Sequence, residues 1–403
     1  MYFLTVFLYV LLIIFNAVSE YFFYNEFGLR YNFIAVDYLI YTNEVIGNII
    51  ESYPVAPLFL AIFAATVIVT LFIYKKTKSE LLVLPDIKQK IILLSSFCIL
   101  LAIGILGLNF TTKLKSDNVF VEDIQANGLP KFYWAFTHNE LDYFQFYPHI
   151  NQQVAENTFL HQFTPPVLKR TILSEKPELK KNVVLISIES LSADFMAHYG
   201  NTQKITPFLD SLADQSLMFT NLYATGNRTV RGLEALTLCI PPTAGESIIK
   251  RENNKNKFTT GSIFKSKGYD VKFLYGGYSY FDNMKDFYQG NGYEIVDRNN
   301  FKPEEISFAN VWGVADEDMA KKAIQTMNDE TESGKPFFNH WMTVSNHRPF
   351  TYPNGKIDIP GDAKSREGGV KYTDYALRKF FEMAKKQEWY PNTVFVIIAD
   401  HCA

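Results

Sequence analysis

Cysteine is scarce in this sequence. Its 403 residues include three, Cys98, Cys239 and Cys402, and no C-x-x-C pair. Three cysteines cannot form a disulfide framework, and the missing C-x-x-C pairs exclude the usual structural zinc sites. A bond between Cys239 and Cys402 is conceivable in an oxidising compartment, but we expect all three thiols to be free. The fold must therefore be held together by its hydrophobic core.

A strong charge of either sign is also missing. The chain has 39 Lys and Arg against 42 Asp and Glu, which gives a net charge of -3. This balance excludes a nucleic-acid-binding tail and an acidic disordered chain. The charge is unevenly distributed, because the first 110 residues contain long uncharged runs and most of the charged residues follow them. The split predicts a membrane part followed by a water-soluble domain.

Three apolar runs, 3–18, 55–74 and 91–110, have about the length that a helix needs to cross roughly 30 Å of hydrocarbon. None contains Asp, Glu, Lys or Arg, which argues against a transporter or a proton channel. We predict a helical transmembrane anchor over 1–110 with three spans. The first run ends in Ala17-Val18-Ser19, so a cleaved signal peptide is an alternative, although no Lys or Arg precedes it.

The basic residues around these runs predict an orientation. The loop after the second run carries five lysines, whereas residues 19–54 contain one basic residue, Arg30. Because loops rich in Lys and Arg stay in the cytoplasm, everything after about residue 110 should lie on the periplasmic or extracellular face of a bacterial inner (plasma) membrane. Residues 33–50 show near-helical apolar spacing, which fits a helix lying on the bilayer or one packed on the spans.

Residues 111–181 are predicted to form a linker arm, and residues 182–403 a domain in which strands and helices alternate. This alternation predicts an α/β fold with a largely parallel sheet flanked by helices. The predicted strands are 182–188, 217–223, 270–276, 336–344 and 392–400, and the predicted helices are 206–216, 230–238, 315–328 and 370–388.

Polar side chains follow three of the predicted strands, at Glu189, at His347 and at Asp400-His401. Because the carboxyl ends of parallel strands meet at one edge of a sheet, these side chains are expected to converge. Two carboxylates with imidazoles suit a divalent cation such as Mn²⁺, Mg²⁺ or Zn²⁺. For the Asp-His pair taken alone, capping of a following helix remains an alternative.

A second candidate feature is the turn before Thr229. There Arg228 and Arg231 flank the predicted start of a helix, where unpaired backbone N–H groups can hold an anion. The Thr229 hydroxyl would be a helix cap in one interpretation. In the other it is a nucleophile, activated by a metal bound to its oxygen.

Six segments in order resemble the lipoteichoic acid synthase and membrane phosphoglycerol transferase branch of the alkaline phosphatase and sulfatase superfamily. The resemblance covers 182–403 and implies an alkaline phosphatase-like fold and a sulfatase-like catalytic domain. The segments are NVVLISIESLSADFMAHYGN, TPFLDSLADQSLMFTNLYATG, NRTVRG, SNHRPF, YTDYAL and VFVIIADHCA.

The resemblance also implies roles for individual residues. Glu189, Thr229, Asp400 and His401 would bind one divalent metal ion, most often Mn²⁺. Thr229 would be the nucleophile that takes a phospho-headgroup from a membrane phospholipid and passes it to an envelope glycan or glycolipid acceptor. His347 would contact the phosphate or assist proton transfer.

One stretch departs from this family. Lipoteichoic acid enzymes hold glycerol phosphate with the His, Trp and Arg of a segment that reads roughly HGNxxxFWNR, and the stretch Tyr275–Lys285 lacks all three. This argues against teichoic acid polymerisation and for another headgroup or acceptor. Tyr275, Lys285, Arg228 and Arg231 are the candidate substrate-binding residues, with Lys285 either replacing the lost cation or lying on the surface. Because the family continues beyond this point with more sheet and helices, we expect 182–403 to be an incomplete catalytic domain.

Other functions stay open. A sulfatase or phosphodiesterase-type hydrolase of the same superfamily is the nearest, although a sulfatase needs a C/S-x-P-x-R signature, and Cys239-Ile-Pro-Pro-Thr243 lies ten residues too late and lacks the arginine. Phosphoethanolamine transferases share the threonine and the metal, but they usually carry several disulfides. A non-catalytic membrane protein that binds a phospho-ligand is the alternative from another class, and the presence of all four metal positions counts against it.

Overall fold

The structure is a computed structural model that describes residues 2–79, 86–111, 118, 121–122, 125–137, 149–162, 175–243 and 245–402. The chain forms two compact units, Met1–Asn139 and Glu140–Ala403. The predicted linker arm, 111–181, lies partly outside the described residues. Its described part includes the helices Gly128–Thr137 and Gln152–Leu160.

The first unit is helical. Three of its helices contain stretches long and apolar enough to cross a membrane, and a fourth span is possible if one bent helix pair counts as a span. Each of the three predicted runs lies inside one of these helices. Their side chains are largely exposed, as expected of helices solvated by lipid. The helices of this unit are Tyr2–Phe27, Phe33–Ile40, Thr42–Ser52, Val55–Thr77, Ile87–Thr111 and Gly128–Thr137.

The bent pair replaces the single helix that the spacing of 33–50 predicts. Phe33–Ile40 begins where the Asn32 side chain accepts the Ile34 N–H at 2.9 Å, and it ends at Tyr41, whose ψ of 49° is not helical. The axes of Phe33–Ile40 and Thr42–Ser52 differ by 104°. Apolar periodicity is preserved across the bend, and for this reason the sequence pattern does not reveal it.

The second unit contains a five-stranded sheet with the order β3-β2-β4-β1-β5. All four strand pairs are parallel, and the α/β prediction is confirmed. In the register of β1 with the edge strand β5, Ile188 at the end of β1 lies beside Ala399 at the end of β5. The strands are β1 Asn182–Ile188, β2 Asp270–Tyr275, β3 Glu294–Val296, β4 Phe337–Met342 and β5 Thr393–Ala399.

Alternate side chains of β1 enter two separate cores. Val184 and Ile186 pack under the helices Asp316–Glu332 and Arg366–Ala384. Leu185 packs on the other face, together with residues of the helix Thr229–Leu238. A strand covered on both faces is apolar at nearly every position, which is why NVVLISI shows no alternation. The remaining helices of this unit are Pro207–Ala213, Thr260–Ser266 and Met284–Gly290.

One predicted strand is wrong. Residues 217–223 form no strand, and their large side chains, Leu217, Phe219, Leu222 and Tyr223, are exposed. A β-branched and aromatic segment becomes a strand only when another strand pairs with it, and no described strand does so here. The strand β3 was not predicted, since three residues are too few to show a period.

Candidate active site

The end of β1 carries the first candidate ligand, Glu189. Its backbone N–H donates to Thr343 Oγ1 at 3.0 Å. Asn346, which is 1% exposed, donates its side-chain N–H to the carbonyl oxygens of Glu189 at 2.8 Å and Ser190 at 3.3 Å. Ser190 has a left-handed backbone with φ 50°, and its hydroxyl donates to Glu189 Oε1 at 2.6 Å. Thr343 and Asn346, which follow β4, thus fix the position of Glu189 after β1 through hydrogen bonds to its backbone.

The end of β5 carries Asp400 and His401. The Asp400 N–H donates to the Ile188 carbonyl oxygen at 3.2 Å, which extends the ladder between β1 and β5. Asp400 Oδ1 accepts the backbone N–H groups of Ser190 at 2.9 Å and His401 at 2.7 Å. Asp400 Oδ2 is buried and has no hydrogen-bond partner among the described residues. One carboxylate oxygen is therefore fixed by the backbone, and the other is left for a ligand.

Thr229 is the first residue of the helix Thr229–Leu238. Its hydroxyl donates to Glu189 Oε2 at 3.0 Å and lies 3.5 Å from His401 Nε2. One turn later Gly232 packs on the Asp400 backbone so closely that an added Cβ would clash with the Asp400 carbonyl oxygen. This contact brings the threonine to the ends of the strands. The Thr229 hydroxyl is directed at the carboxylate, and the N-cap position belongs to Arg228.

Glu189, Asp400 and His401 offer three ligand atoms that all lie within 4.8 Å of one another. Two carboxylates and one imidazole form a donor set that Mn²⁺, Mg²⁺ and Zn²⁺ accept. The buried Asp400 Oδ2 without a partner is the kind of atom that a cation satisfies. These residues therefore fit a divalent metal ion.

The electrostatics of the three groups point the same way. Burial raises the pKa of Asp400 to about 7, and the nearby Glu189 charge adds to this rise. Burial opposes ionisation of Glu189 too, but His401, His347 and Ser190 outweigh it and hold the Glu189 pKa at about 2. Burial likewise opposes the charged form of His401, yet Glu189 and Asp400 raise its pKa to about 9. The pair of carboxylates thus requires a positive charge beside it, which a proton or a metal ion can supply.

His347 follows β4 and is half-buried. Its ring stacks on Trp312, with centroids 4.0 Å apart and planes tilted by 43°. The Trp312 indole N–H in turn donates to the Arg348 carbonyl oxygen at 2.5 Å, and the same oxygen lies 2.9 Å from His347 Nδ1. The positive charge of His347 lowers the pKa of Glu189, so its imidazole is within electrostatic range of this candidate metal ligand.

Residues 181–403, which are 55% of the chain, match the Sulfatase family. The chain belongs to this family. It is 26% identical over 232 residues to lipoteichoic acid synthase 2 of Bacillus subtilis (strain 168), covering 55% of this chain and 35% of that protein. A similar match of 26% identity over 236 residues is found with the lipoteichoic acid synthase of Staphylococcus saprophyticus, covering 55% of this chain and 36% of the relative. The matched part spans about a third of each relative.

Solved structures agree on the fold. A protein of the alkaline phosphatase superfamily from Vibrio parahaemolyticus is 37% identical with a TM-score of 0.59, over 65% of this chain and 66% of that one. The lipooligosaccharide phosphoethanolamine transferase A (EptA) of Neisseria meningitidis aligns with 98% of this chain and 71% of its own at a TM-score of 0.61 and 14% identity. At that identity the likeness shows the fold alone. The resemblance predicted for 182–403 is confirmed.

A supporting residue that the sequence analysis missed holds the loop after β4 in this sulfatase-family protein. Asp316, at the start of the helix Asp316–Glu332, accepts the backbone N–H groups of Val344 at 2.8 Å and Ser345 at 3.2 Å. It also accepts the Thr373 hydroxyl at 2.9 Å, and its own N–H donates to the Ser345 hydroxyl at 3.0 Å. Burial raises the pKa of this carboxyl. Asp316 therefore fixes the backbone that leads to Asn346 and His347.

Two of the predicted substrate-binding residues, Arg231 and Tyr275, contact other parts of the protein. Arg231 forms an ion pair with the buried Glu234 at 3.1 Å and donates to the carbonyl oxygens of Thr243 and Gly245, so its guanidinium has partners within the protein. Tyr275 is 6% exposed, because its ring packs in the core beside Phe273.

The other two predicted substrate-binding residues, Arg228 and Lys285, lie nearer to solvent. Arg228 is half-buried and occupies the N-cap position before Thr229. Lys285 is exposed on the helix Met284–Gly290.

Cys239 is the C-cap residue of the helix Thr229–Leu238, at the end opposite to Thr229, with φ 57°. Since the helix has ten residues, the two positions are separated by about 15 Å along its axis. The three cysteines are free and exposed, as expected. A formylglycine made from Cys239 would thus stand far from Glu189, Asp400 and His401.

Proposed function

We propose that this sulfatase-family protein is a metal-dependent transferase of phospho-headgroups, with phosphoglycerol from phosphatidylglycerol as the leading candidate. The acceptor would be a hydroxyl of an envelope glycan or glycolipid. The observation that carries the proposal is the Thr229 hydroxyl, 3.0 Å from Glu189 Oε2 and beside the Asp400 and His401 side chains. A hydroxyl beside a cluster that fits a divalent cation has the arrangement of an activated nucleophile.

The reaction would proceed by two displacements at phosphorus. In the first, Thr229 Oγ forms a bond to the phosphorus, the bond to the glyceride oxygen breaks, and diacylglycerol leaves with a proton. In the second, the acceptor hydroxyl attacks the phosphorus, and Thr229 Oγ leaves and regains its proton. Glu189 Oε2, which accepts the hydrogen bond of the Thr229 hydroxyl, would accept its proton.

A divalent cation held by Glu189, Asp400, His401 and the Thr229 oxygen would supply positive charge that favours the threonine alkoxide and stabilises charge on the phosphoryl oxygens. His347, whose ring packs on Trp312, would donate a hydrogen bond to the phosphate. Asp316 and Asn346 keep the ends of β4 and β1 in register around the site.

The apolar helices would keep this domain beside its lipid donor. With the lysine-rich loop in the cytoplasm, the catalytic domain would lie on the periplasmic or extracellular side, next to the headgroups of the outer leaflet. An anchor of this kind raises the effective concentration of enzyme at the lipid surface.

The decisive test is a search for the phospho-threonine. Purified protein is incubated with Mn²⁺ and phosphatidylglycerol vesicles, and the peptide containing Thr229 is examined by mass spectrometry for a glycerophosphoryl adduct, with Thr229→Val as the control. We expect the adduct in the wild type alone, together with released diacylglycerol. The absence of an adduct with both phosphatidylglycerol and phosphatidylethanolamine, while metal is bound, contradicts the proposal.

Hydrolysis of a phosphate or sulfate ester is the second candidate, and the match to the Sulfatase family favours it. The same vesicles distinguish the two reactions. A hydrolase would release free glycerol phosphate in water without an added acceptor, and a sulfatase would release sulfate from an aryl sulfate. Ligand binding without turnover of either substrate would favour a non-catalytic role.

A further inference from the structure

The start of the helix Arg366–Ala384 packs directly on the loop that follows β4. An added Cβ at Gly369 would lie 3.1 Å from Asn346 Oδ1 and 3.2 Å from Phe350 Cδ1. Asn346 in turn donates to the Glu189 carbonyl oxygen at 2.8 Å. The first turn of the helix is therefore separated from a candidate metal ligand by a single side chain.

Arg366 is the first residue of this helix and is half-buried. Its guanidinium carbon lies 5.9 Å from the centroid of the Phe350 ring, and its Nε is buried without a hydrogen-bond partner among the described residues. A ring under a guanidinium restricts the plane in which its N–H groups point. A positive charge in the first turn of a helix interacts unfavourably with the helix dipole. Arg366, the first residue of this 19-residue helix, therefore does not stabilise the helix through its charge.

The charges around Arg366 include one of the candidate metal ligands. Burial lowers the pKa of the Arg366 guanidinium, the Glu189 carboxylate opposes this effect, and the positive charge of Arg348 adds to it. Glu367, the next residue of the helix, also raises the pKa of Arg366. The Arg366 guanidinium therefore feels the positive charge of Arg348, and an anion bound at Arg366 would offset that repulsion. Arg231 differs, since its guanidinium is already paired with Glu234.

We propose that Arg366 is a substrate-binding residue whose guanidinium holds non-bridging phosphate oxygens of the headgroup, with the Phe350 ring fixing its orientation. Guanidinium N–H groups match a phosphate in pairs, which gives both affinity and a defined orientation. The headgroup as the source of this phosphate rests on the proposed function, whereas recognition of a phosphate by Arg366 does not.

The test measures ligand binding directly. The full chain in detergent with Mn²⁺ is titrated with sn-glycerol 1-phosphate and with glycerol by calorimetry. We expect Arg366→Ala to weaken glycerol phosphate binding about 10- to 100-fold, the usual effect of losing a charged hydrogen-bonding partner. Arg366→Lys should fall between, because lysine cannot bind in the paired mode. The matched control is Arg378→Ala on the same helix, an exposed residue 4.0 Å from Glu382.

Several outcomes would overturn this role. They are wild-type binding of glycerol phosphate by Arg366→Ala, equal losses in Arg366→Ala and Arg378→Ala, and no binding of glycerol phosphate by the wild type with Mn²⁺ bound. If Arg366→Ala does not fold, Arg366→Lys and Phe350→Leu decide, and binding at the wild-type level in both contradicts the proposal.

Release of diacylglycerol from phosphatidylglycerol vesicles separates the two proposals. A wild type that binds glycerol phosphate through Arg366 and releases no diacylglycerol refutes the transferase while the role of Arg366 stands. If the wild type releases diacylglycerol and Arg366→Ala binds glycerol phosphate normally, the role of Arg366 is refuted and the transferase proposal stands.

Discussion

Two buried histidines of the same sheet have opposite surroundings. His340 lies inside β4 and is fully buried, with Nε2 3.0 Å from Ser187 Oγ and Nδ1 3.4 Å from the Tyr288 hydroxyl. That hydroxyl lies 3.0 Å from Thr237 Oγ1. His401, by contrast, stands at the end of β5 beside Glu189 and Asp400. We call Ser187, Thr237, Tyr288 and His340 the interior cluster, and Glu189, Asp400 and His401 the edge cluster. The polar groups of the interior cluster are hydrogen-bonded to one another. In the edge cluster, Asp400 Oδ2 has no hydrogen-bond partner among the described residues.

The pKa values follow from that difference. Burial alone lowers the pKa of His340 to about 3, so this imidazole is neutral. The carboxylates raise that of His401 to about 9 despite its burial. A polar group that is hydrogen-bonded within the core rigidifies it, whereas a buried oxygen without a hydrogen bond among the described residues, such as Asp400 Oδ2, marks a place where a ligand can complete the structure. Burial by itself therefore does not distinguish a functional histidine from a structural one.

The largest effect is expected at Asp400. Asp400→Asn removes a charged ligand atom, and metal affinity should fall by more than about 100-fold, which exceeds the usual loss when only a supporting residue is changed. The metal-free variant should be at least as stable as the wild type, because the repulsion between Glu189 and Asp400 disappears. Calorimetric titration with Mn²⁺ and thermal melts measure the two quantities.

Asp374→Asn is the matched control, since Asp374 is also buried. Its carboxylate accepts the backbone N–H groups of Phe208 at 3.0 Å and Leu209 at 2.8 Å, away from the metal candidates. We expect it to lose stability and keep its Mn²⁺ affinity. If the double variant Glu189→Ala, Asp400→Ala still binds Mn²⁺ normally, the assignment of the site is wrong.

Gly232→Ala should cost stability, at the upper end of the roughly 1–3 kcal/mol that overpacking causes. The added methyl group clashes with the Asp400 backbone, which cannot rotate away, and the helix that carries Thr229 must move. Urea unfolding measures the loss. Gly104→Ala is the control because an added Cβ there would have no atom within 4 Å. Equal losses in the two variants would contradict the proposed close contact of Gly232.

His340 should make the domain sensitive to acid. Its pKa rises from about 3 in the folded state to an ordinary value of 6.5 on unfolding, so the unfolded chain takes up a proton as the pH falls below 6.5. Stability should be lost at about 1.4 kcal/mol per pH unit, or about 2 kcal/mol between pH 6.5 and 5. Urea midpoints of the wild type and of His340→Gln, measured between pH 7 and 5, should converge as the pH falls. Parallel pH profiles would rule this contribution out.

The edge cluster was predictable because parallel strands bring their ends together by rule. Glu189 and Asp400 follow strands that the apolar runs identify, and the register of β1 and β5 makes them neighbours. Thr229 required the resemblance, since its spacing fits a helix cap equally well. Thr229 lies near the end of β5 because its helix packs on the Asp400 backbone at Gly232. No pattern in a single sequence predicts such a packing contact.

The supporting residues were not predictable for a related reason. Asp316 and Trp312 act through contacts with residues about 30 positions away, and neither stands at a strand end. The ion pair of Arg231 was not predictable either, because its position beside Thr229 says nothing about Glu234, which is fully buried one turn later. Charge close in sequence to a site is a poor guide when a buried carboxylate competes for it.

The smallest effect is expected at Ser190, which joins the two carboxylates of the edge cluster. Ser190→Ala removes the hydroxyl that orients Glu189 Oε1, and Mn²⁺ affinity should fall about 10-fold, as for other residues that support metal ligands. Ser190→Gly should lose the same affinity but be more stable than Ser190→Ala by about 1 kcal/mol, since glycine tolerates φ 50° without strain. Recovery of wild-type affinity by the glycine variant would show that the left-handed backbone, and not the hydroxyl, sets the geometry. Calorimetric titration and urea unfolding of the three proteins separate these two contributions, because one changes metal binding and the other changes stability.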